Sequence, residues 1–594
     1  MKHVLVLKVG PVQGYIAQAR RTRDLWYGSQ VLSNLARAMA VSLLESKATL
    51  AFPHPDQARD ARAGVANKVV ALVEDAPEQV ARRAREAAKS RLRAEWGRVF
   101  DKCRCMLIPG AEALAAEQLD TFLEVHAAWA LVEDAPTGYA DALAEADRAL
   151  ESRRGLREFA PWKQRPPEGT HKSSLDGARP SLLRRERQTG HLWRHFRIGL
   201  REELDALGVL KRAGGQPGQF VPVPSIGLAA WLQVAGTRHP ELLARLSAAC
   251  EARGFQSVSG KQRPWVESFP FDGQLLLPER WQPYFEEYPI PEPRQAAASF
   301  GREFVAPLRD AMGTDAEPFP YVACLVADGD RMGRALESLA KRHDGHLAHQ
   351  RVSQALADFT RKARAIVEVE HRGVLVYAGG DDVLAFVTPM DAPACARALA
   401  VAFRASLEGA LAGTGAEVPT LSVGLGIGHV LESLGELLAL GRRAETAAKR
   451  AGRDALAILV AKHAGRERLW TAPWGTDPVA RLEADMALLT RDALPLPLGK
   501  VHEVAALARR FPAGVASAPE LAEVLRDEAG RILARAEAGR APKPLTPADV
   551  GLELSSAMAP QDALEQWASR LLVADTFARA GRGLASAQDK EGAR

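Results

Sequence analysis

Cysteine is scarce in this sequence, which excludes one class of fold. The 594 residues contain five cysteines, an odd number, scattered from Cys103 to Cys395. A disulfide framework of the kind found in small secreted domains needs paired, regularly spaced cysteines. The cysteine pattern therefore indicates a reducing compartment, and we expect a cytoplasmic protein.

Long apolar runs and a strong excess of one charge are missing as well. No stretch of about 18 apolar residues occurs, so we expect no membrane span. The first apolar segment, residues 4–9, has the length of a strand rather than of a signal-peptide core, so we expect no export signal. The 78 basic and 73 acidic residues give a formal net charge of +5, which indicates only a weak preference for polyanionic partners.

The length of the chain and its apolar pattern predict several domains. A chain of 594 residues with 47% apolar composition exceeds one hydrophobic core, so we expect roughly three to five domains. A stretch rich in proline, glycine and basic residues, 161–180, marks a boundary. The patterns predict α/β units at 1–155 and 301–475, a mostly helical middle domain at 156–300 and an α-helical C-terminal domain at 476–594.

The second α/β unit has the predicted order β-α-β-β-α-β-α-β, with its last strand at 455–460. Each connecting helix has to bury its apolar stripe on the sheet, so we expect a mixed sheet with helices on one face.

Two acidic motifs lie at strand ends of this unit. Gly379-Gly380-Asp381-Asp382 joins two apolar arms, and Asp328-Gly329-Asp330 follows the first strand. Phosphoryl transfer between nucleotides needs two divalent ions about 3.5–4 Å apart, held by carboxylates. We therefore predict that Asp328, Asp381 and Asp382 are catalytic and bind metal, and that Gly329, Asp330, Gly379 and Gly380 contact the nucleotide.

Each motif has a simpler interpretation when it is taken alone. Gly-Gly-Asp-Asp is also a common hairpin turn, and Asp-Gly-Asp can cap the next helix. The combination of both motifs at strand ends of one unit favours a shared metal site. Lys449 and Arg453, near the end of a predicted helix, are candidates for binding the phosphates, although cations there also compensate a helix dipole.

The motifs together resemble one family, the polymerase-like large subunits of type III CRISPR effector complexes, in the type III-B (Cmr) form. The resemblance covers residues 1 to about 460. Four segments carry it: 9–29 with its Gly-Pro-Val-Gln-Gly-Tyr opening, Asp328-Gly329-Asp330-Arg331-Met332-Gly333, Tyr377-Ala378-Gly379-Gly380-Asp381-Asp382, and Ala448-Lys449-Arg450-Ala451-Gly452-Arg453-Asp454.

The resemblance implies two ferredoxin-like palm domains of nucleotide cyclase type, one degenerate (1–155) and one catalytic (301–475). It implies condensation of ATP into cyclic oligoadenylates, with Mg²⁺ or Mn²⁺, when the RNA-guided antiviral complex binds target RNA. The implied partners are the other Cmr-type subunits, the guide RNA and the target RNA. Many family members carry an N-terminal HD nuclease domain. Here the first palm begins at residue 3, so we expect no HD-type DNase activity.

The first palm lacks metal-binding carboxylates. Ala66-Asn67-Lys68-Val69 stands where the second palm has its two aspartates, and Gly10-Pro11-Val12 stands in place of Asp328-Gly329-Asp330. We expect the first palm to hold a second ATP, with Gly28 and Ser29 at a helix start as candidate contacts. Helix capping by Ser29 is the alternative.

This chain also departs from the family's pattern at the zinc module, which in the family uses paired cysteines of the middle domain. The matching stretches, 172–177 and 204–207, contain no cysteine, so we expect no structural zinc. Two other functions remain open: a scaffold subunit of the same complex without turnover, and a free-standing diguanylate-type cyclase.

Overall fold

The structure is a computed structural model, and it describes thirteen ranges of the chain. They are 1–61, 63–74, 76–156, 168–184, 195–199, 201–215, 220–258, 263–462, 465–491, 495–510, 519–535, 545–553 and 559–584. Residues 161–167 of the predicted boundary lie outside these ranges.

The first α/β domain is a four-stranded antiparallel sheet with helices on both faces. Its strand order is β2-β3-β1-β4. Apolar side chains alternate along β1, so that Leu5 and Leu7 face one set of helices, while Val4 and Val6 face the other. The strands are β1 (His3–Gly10), β2 (Thr49–Phe52), β3 (Lys68–Val73) and β4 (Glu124–Leu131). The helices are α1 (Gln13–Ala17), α2 (Thr22–Glu45), α3 (Pro55–Arg59), α4 (Pro77–Cys103), α5 (Ala111–Phe122) and α6 (Gly138–Gly155).

The middle region is helical in its described part. Its last helix passes through a π-helical turn and crosses the predicted boundary at residue 300, because apolar residues continue at helical spacing to Met312. The helices are α7 (Ala206–Ala213), α8 (Val223–Gly227), α9 (Ala229–Arg238), α10 (Pro240–Ala252), α11 (Pro264–Glu267), α12 (Pro278–Glu286), α13 (Pro293–Phe300) and α14 (Ala306–Met312).

The two stretches that match the zinc module lie against each other. The backbone N–H of Ser174 donates to the carbonyl of Glu203 at 2.7 Å, and the Ser173 hydroxyl donates to Asp205 at 3.2 Å. Hydrogen bonds thus join these stretches. Among the described residues, no group of three or more His, Cys, Asp or Glu side chains is arranged to hold a metal ion. The expected lack of zinc stays a prediction.

The second α/β domain contains a six-stranded sheet with the order β10-β9-β8-β5-β7-β6. Four of these strands, β8-β5-β7-β6, repeat the antiparallel order of the first domain. The strands are β5 (Tyr321–Gly329), β6 (Gly373–Gly379), β7 (Asp382–Val387), β8 (Leu421–His429), β9 (Ala455–Val460) and β10 (Arg468–Pro473). The helices are α15 (Met332–Ala340), α16 (Gly345–Ala365), α17 (Ala392–Leu411) and α18 (Leu434–Arg450).

This topology confirms the predicted fold class of two ferredoxin-like domains, called the first palm and the second palm below. Two details of the prediction are wrong. Helices cover both faces of the second sheet, with α16 and α17 on one side and α18 on the other. The strand β10 was not predicted, because only Trp470 of its six residues is buried and no alternating pattern results.

The C-terminal region is helical in its described part and packs on the second palm. Val573 and Phe577 of its last helix belong to the apolar core between the sheet and α16 and α17. The helices are α19 (Pro478–Thr490), α20 (Leu498–Ala508), α21 (Pro519–Ala534) and α22 (Pro560–Gly581). Within the described ranges, no helix combines the length and apolar content that crossing a bilayer requires.

Candidate active site

The two hairpin aspartates lie at the tip between β6 and β7. Gly379, the last residue of β6, pairs with Asp382, the first residue of β7. Gly380 has a φ of +69°, a conformation that glycine adopts without the strain that a side chain would cause. The turn therefore depends on Gly380 and presents Asp381 and Asp382 at one end of the sheet.

The third aspartate reaches the same place from β5. Ala327 pairs with Val383, so Asp328 and Asp382 are neighbours on adjacent strands. A Cβ atom built on Gly329 would lie only 2.7 Å from the Cβ of Asp381. The missing side chain of Gly329 thus allows Asp381 to pack against the end of β5, and the three predicted catalytic carboxylates come together.

Mutual repulsion and burial change the titration of these carboxylates. Burial and the negative charge of Asp328 raise the pKa of Asp381 to about 6. Burial and a hydrogen bond shared with the carboxyl group of Asp328 also raise the pKa of Asp382, although its side chain reaches the surface. A site with such excess negative charge is suited to bind cations.

A lysine supplies part of the compensating charge. Lys449 Nζ lies 2.5 Å from Asp328 Oδ2 and 2.8 Å from Glu445 Oε1. Burial lowers the pKa of Lys449, but its hydrogen bonds to the two carboxylates outweigh burial, so the net shift is upward. Lys449 therefore lies within the carboxylate cluster, as its predicted role near the phosphates requires.

Alternating glycines on β8 bring this lysine to the site. Cβ atoms built on Gly424 and Gly426 would lie 2.0 and 2.3 Å from backbone nitrogens of α18, and one on Gly428 would lie 2.5 Å from a side chain of that helix. The face of β8 that carries these glycines thus has no side chains at the three positions, and α18 packs directly against its backbone. The last turn of α18, which contains Lys449, consequently reaches the end of β5.

Asp330 is not brought together with the other aspartates. Its side chain is buried and accepts hydrogen bonds from the hydroxyls of Ser422, at 2.8 Å, and Thr420, at 2.9 Å. The backbone N–H of Asp454 donates a further bond at 3.0 Å. Arg453, half exposed, lies 4.0 Å from the same carboxylate. Asp330 and Arg453 therefore tie the turn after α18 to β8, and the predicted nucleotide contact of Asp330 does not fit this position.

Gly28 and Ser29 do not lie at a helix start, so that prediction is wrong. The helix α2 begins at Thr22, where the Asp24 carboxylate accepts from the backbone N–H of Arg21. Gly28 and Ser29 are buried in its interior. A Cβ atom on Gly28 would lie 3.1 Å from the side chain of Lys211 in α7. Glycine at this position therefore allows α2 to pack closely on the middle domain.

The first palm has no carboxylates at the corresponding positions. By strand register, Val9 takes the place of Asp328, and Ala66-Asn67 takes the place of the two hairpin aspartates. The predicted counterpart Gly10-Pro11-Val12 is therefore shifted by one residue, to 9–11. The first palm thus has no acidic residue at the positions that match Asp328, Asp381 and Asp382, although Glu124 of β4 lies beside Gly10 at this end of the sheet.

A cavity of about 550 Å³ separates the two palms and reaches the hairpin turn. Its first-palm wall includes Phe52, Lys68, Val70 and Asp147, and its second-palm wall includes Leu336, Lys341, Gly380 and Asp381. The cavity is large enough for a nucleotide-sized ligand.

Two lysines of this cavity were not predicted from the sequence. Lys68 and Lys341 lie on opposite walls, each paired with a wall carboxylate, Lys68 with Asp147 at 2.7 Å and Lys341 with Glu337 at 2.9 Å. The sequence could have indicated Lys68, because this basic residue lies in the segment Ala66-Asn67-Lys68-Val69, which takes the place of the acidic turn of the second palm. No local signal marked Lys341.

Specific contacts fix the two palms against each other beside this cavity. The Tyr139 hydroxyl lies 2.9 Å from His349 Nδ1, and the Gln350 amide donates to the carbonyl of Leu50 at 2.6 Å. A Cβ atom on Gly64 would lie 2.2 Å from the carbonyl of Ala378 in β6. The first palm thus contacts the strand that leads to the catalytic turn.

Comparison with known proteins shows which family the chain resembles. The model described as the second palm domain of Cas10/Cmr2 matches residues 321–457, which include all three aspartates and Lys449. The model described as the N-terminal part of CRISPR-associated protein Cmr2 matches residues 4–101. Over these two ranges the chain is similar to the Cas10/Cmr2 large subunits. These findings confirm the resemblance that the sequence motifs indicate.

Individual proteins show the same similarity to the Cas10/Cmr2 large subunits. A CRISPR system Cmr subunit Cmr2 from Pyrococcus furiosus is 32% identical over 200 residues, covering 29% of this chain and 22% of that protein. Two structures of type III-B Cmr-beta, one in the apo state and one bound to cognate target RNA, share the fold with a TM-score of 0.59 at 11% identity. They cover 92% of this chain and 78% and 80% of theirs.

Proposed function

We propose that this chain is the large subunit of a type III-B RNA-guided complex and synthesises cyclic oligoadenylates from ATP when the complex binds target RNA. Its partners are then the other Cmr-type subunits, the guide RNA and the target RNA. The complex acts in the cytoplasm, and the five cysteines of the chain are all unpaired, as a reducing compartment favours.

The observation that carries this proposal is the position of the carboxylate cluster. Asp328, Asp381 and Asp382 lie together at one end of the sheet, and Asp381 lines the cavity between the palms. Joining two nucleotides requires both to be held at one place, and a cavity with a wall from each palm can orient one nucleotide against the other. Lys68 and Lys341 supply positive charge on the two walls.

The chemistry of the donor set suits a divalent metal ion, although the side chains of these described residues are not arranged to hold one in the structure. All three carboxylates offer oxygen ligands, which Mg²⁺ and Mn²⁺ prefer. Burial and neighbouring carboxylates raise the pKa values of Asp381 and Asp382, and a bound cation would favour the ionised form of both. Asp328, Asp381 and Asp382 would hold the metal, which would activate the attacking hydroxyl and neutralise phosphate charge. Lys449, beside Asp328, would bind a phosphate oxygen, and Gly329 and Gly380 leave room for the phosphates near the backbone.

The test uses the assembled complex with ATP, Mg²⁺ and cognate target RNA, with products separated by chromatography and identified by mass spectrometry. We expect cyclic adenylate products that disappear with chelator, without target RNA, or in an Asp381→Asn/Asp382→Asn complex. If assembly and RNA binding persist but no product forms, the chain is a scaffold. If GTP is consumed in preference to ATP by the free chain, the cyclase is of diguanylate type.

A further inference from the structure

A second cavity, of about 270 Å³, lies where the two palms and the middle domain meet. The second palm contributes residues 430–434, which follow the last residue of β8. The first residue of β8, Leu421, pairs with Gly329 beside the catalytic turn. At about 3.3 Å per strand residue, the second cavity lies roughly 25 Å from the catalytic aspartates.

Arginines from three separate parts of the chain converge on this cavity. Arg20, Arg21 and Arg23 come from the connection between α1 and α2, Arg197 from the middle domain, and Arg280 from α12. We call these five residues the arginine cluster. They belong to the opening sequence motif and to two distant segments, and the proposed synthesis of oligoadenylates uses none of them.

Carboxylates compensate only part of this cluster. Arg197 forms ion pairs with Asp272 at 2.6 Å and Glu287 at 3.2 Å, and Arg21 lies 3.9 Å from Glu287. Two further arginines contact neutral oxygens: Arg20 donates to the carbonyl of Ser174 at 3.0 Å, and Arg23 to that of His195 at 3.3 Å.

The fifth arginine, Arg280, also contacts a neutral oxygen, as Arg20 and Arg23 do. Arg280 donates to the side-chain oxygen of Gln274 at 3.3 Å. Among the described residues, no carboxylate lies within 4.0 Å of the guanidinium groups of Arg20, Arg23 or Arg280. Arg20, Arg23 and Arg280 therefore form no ion pair with a described residue, although Asp24 attracts Arg23 from a greater distance and Glu432 also lines the cavity.

A purely structural role predicts a different arrangement. Arg212, behind the cluster, is fully buried and pairs with Asp24 at 2.6 Å and Glu202 at 2.7 Å, so its charge is neutralised. Arg197 is paired in this way, with Asp272 and Glu287, but Arg20, Arg23 and Arg280 form no ion pair with a described residue. Burial and repulsion from neighbouring arginines lower the pKa values of Arg21 and Arg23 to about 10, which agrees with an excess of positive charge.

Aromatic rings accompany the cluster. The guanidinium of Arg23 lies 4.5 Å from the ring centre of Phe220 and 6.0 Å from that of Phe196, and Arg197 lies 5.3 Å from the ring centre of Tyr284. Arginines bind phosphate oxygens, and aromatic faces stack on bases, so the two together are typical of nucleotide recognition.

We propose that the arginine cluster binds the phosphate of a nucleotide, whose base lies against Phe220, the one partly exposed ring among Phe196, Phe220 and Tyr284. The nucleotide is either free or part of an RNA strand, because both present the same phosphate and base. The site is separate from the catalytic cavity and requires no metal ion.

The test measures binding by the full chain in the presence of EDTA, which prevents metal-dependent binding at the aspartates. The probes are a fluorescent ATP analogue and a short fluorescent single-stranded RNA. We expect Arg20→Gln/Arg280→Gln to weaken binding of one or both probes by roughly tenfold or more. The slope of log affinity against log salt should fall by about one for each arginine–phosphate interaction that the substitutions remove.

The matched control is Arg83→Gln/Arg302→Gln, which removes two positive charges from exposed arginines of α4 and the π-helical turn. Circular dichroism and melting show whether each variant is folded, and Arg280→Gln alone replaces the double variant if that one does not fold. A selective loss for ATP identifies a free nucleotide, and a selective loss for RNA identifies a strand. Unchanged binding of both probes, or an equal loss in the control, overturns the proposal.

A second measurement locates the probe directly. Photo-crosslinking with an azido-ATP analogue or a thiouridine-containing RNA, followed by mass spectrometry, should label peptides that contain Phe196, Phe220 or Tyr284. Labels confined to other regions of the chain also overturn the proposal. Neither measurement depends on oligoadenylate synthesis, so the two proposals can fail independently.

Discussion

Gly329→Ala tests how the catalytic aspartates are positioned. The added Cβ atom would lie 2.7 Å from the Cβ of Asp381 and 2.9 Å from the Cγ of Met332. Carbon atoms in contact need about 3.5–4.0 Å, so Asp381 has to move by about 1 Å. The strand backbone at Gly329 has no positive φ, so an alanine fits the local conformation and the effect is confined to this contact.

Two consequences follow from that displacement. Overpacking of this kind costs about 1–3 kcal/mol of stability, which a chain with several packed cores tolerates. A misplacement of about 1 Å at a reacting centre reduces turnover roughly a hundredfold. We therefore expect a folded Gly329→Ala variant whose synthesis of cyclic oligoadenylates falls by about two orders of magnitude.

The assay compares product formation by complexes containing wild-type chain, Gly329→Ala or Gly409→Ala. Gly409 is exposed on α17, away from the cavity lining, and a Cβ atom built on it meets no neighbouring atom within 4 Å. The control should therefore retain wild-type turnover. Wild-type turnover by Gly329→Ala, with unchanged melting, would refute the close packing of Asp381 on β5.

Three other substitutions separate catalytic from structural roles. Asp381→Asn should abolish turnover yet raise the melting temperature of the metal-free chain. Folding raises the pKa of Asp381 from 3.8 to about 6, so the stability of the wild-type chain falls by on the order of 3 kcal/mol as the pH increases between these values. The variant should therefore melt at a higher temperature than wild type above about pH 6, and at the same temperature near pH 4. Asp330→Asn should instead lower the melting temperature, by on the order of 2–3 kcal/mol of stability, because an amide cannot accept all the hydrogen bonds from Ser422 and Thr420. Arg212→Met should cost about 3–5 kcal/mol, because its two carboxylate partners stay buried without a counterion, and denaturant titration measures this loss.

The fold class and the aspartate turn could be predicted because their signals are local. Apolar arms on either side of Gly-Gly-Asp-Asp identify the hairpin, and the apolar run before Asp328 identifies the neighbouring strand. Antiparallel pairing in a ferredoxin-like order then brings these ends together. The three catalytic candidates follow from that topology.

Other parts of the site depend on details that a single sequence does not show. Asp330 diverges from Asp328 because β5 ends at Gly329 and Arg331 turns the chain with a φ of +58°. The interior position of Gly28 in α2 depends on packing with a helix almost two hundred residues away, which no local pattern reports. The arginine cluster is likewise assembled from segments far apart in the chain.

The cavity beside the aspartates has one consequence for control of the enzyme. Its walls belong to two different sheets, held by contacts such as Tyr139 with His349 and Gln350 with Leu50. A change in the angle between the palms alters the width of the cavity without moving any aspartate within its own sheet. Under the proposed function, target RNA bound elsewhere on the complex would change synthesis by rotating one palm relative to the other.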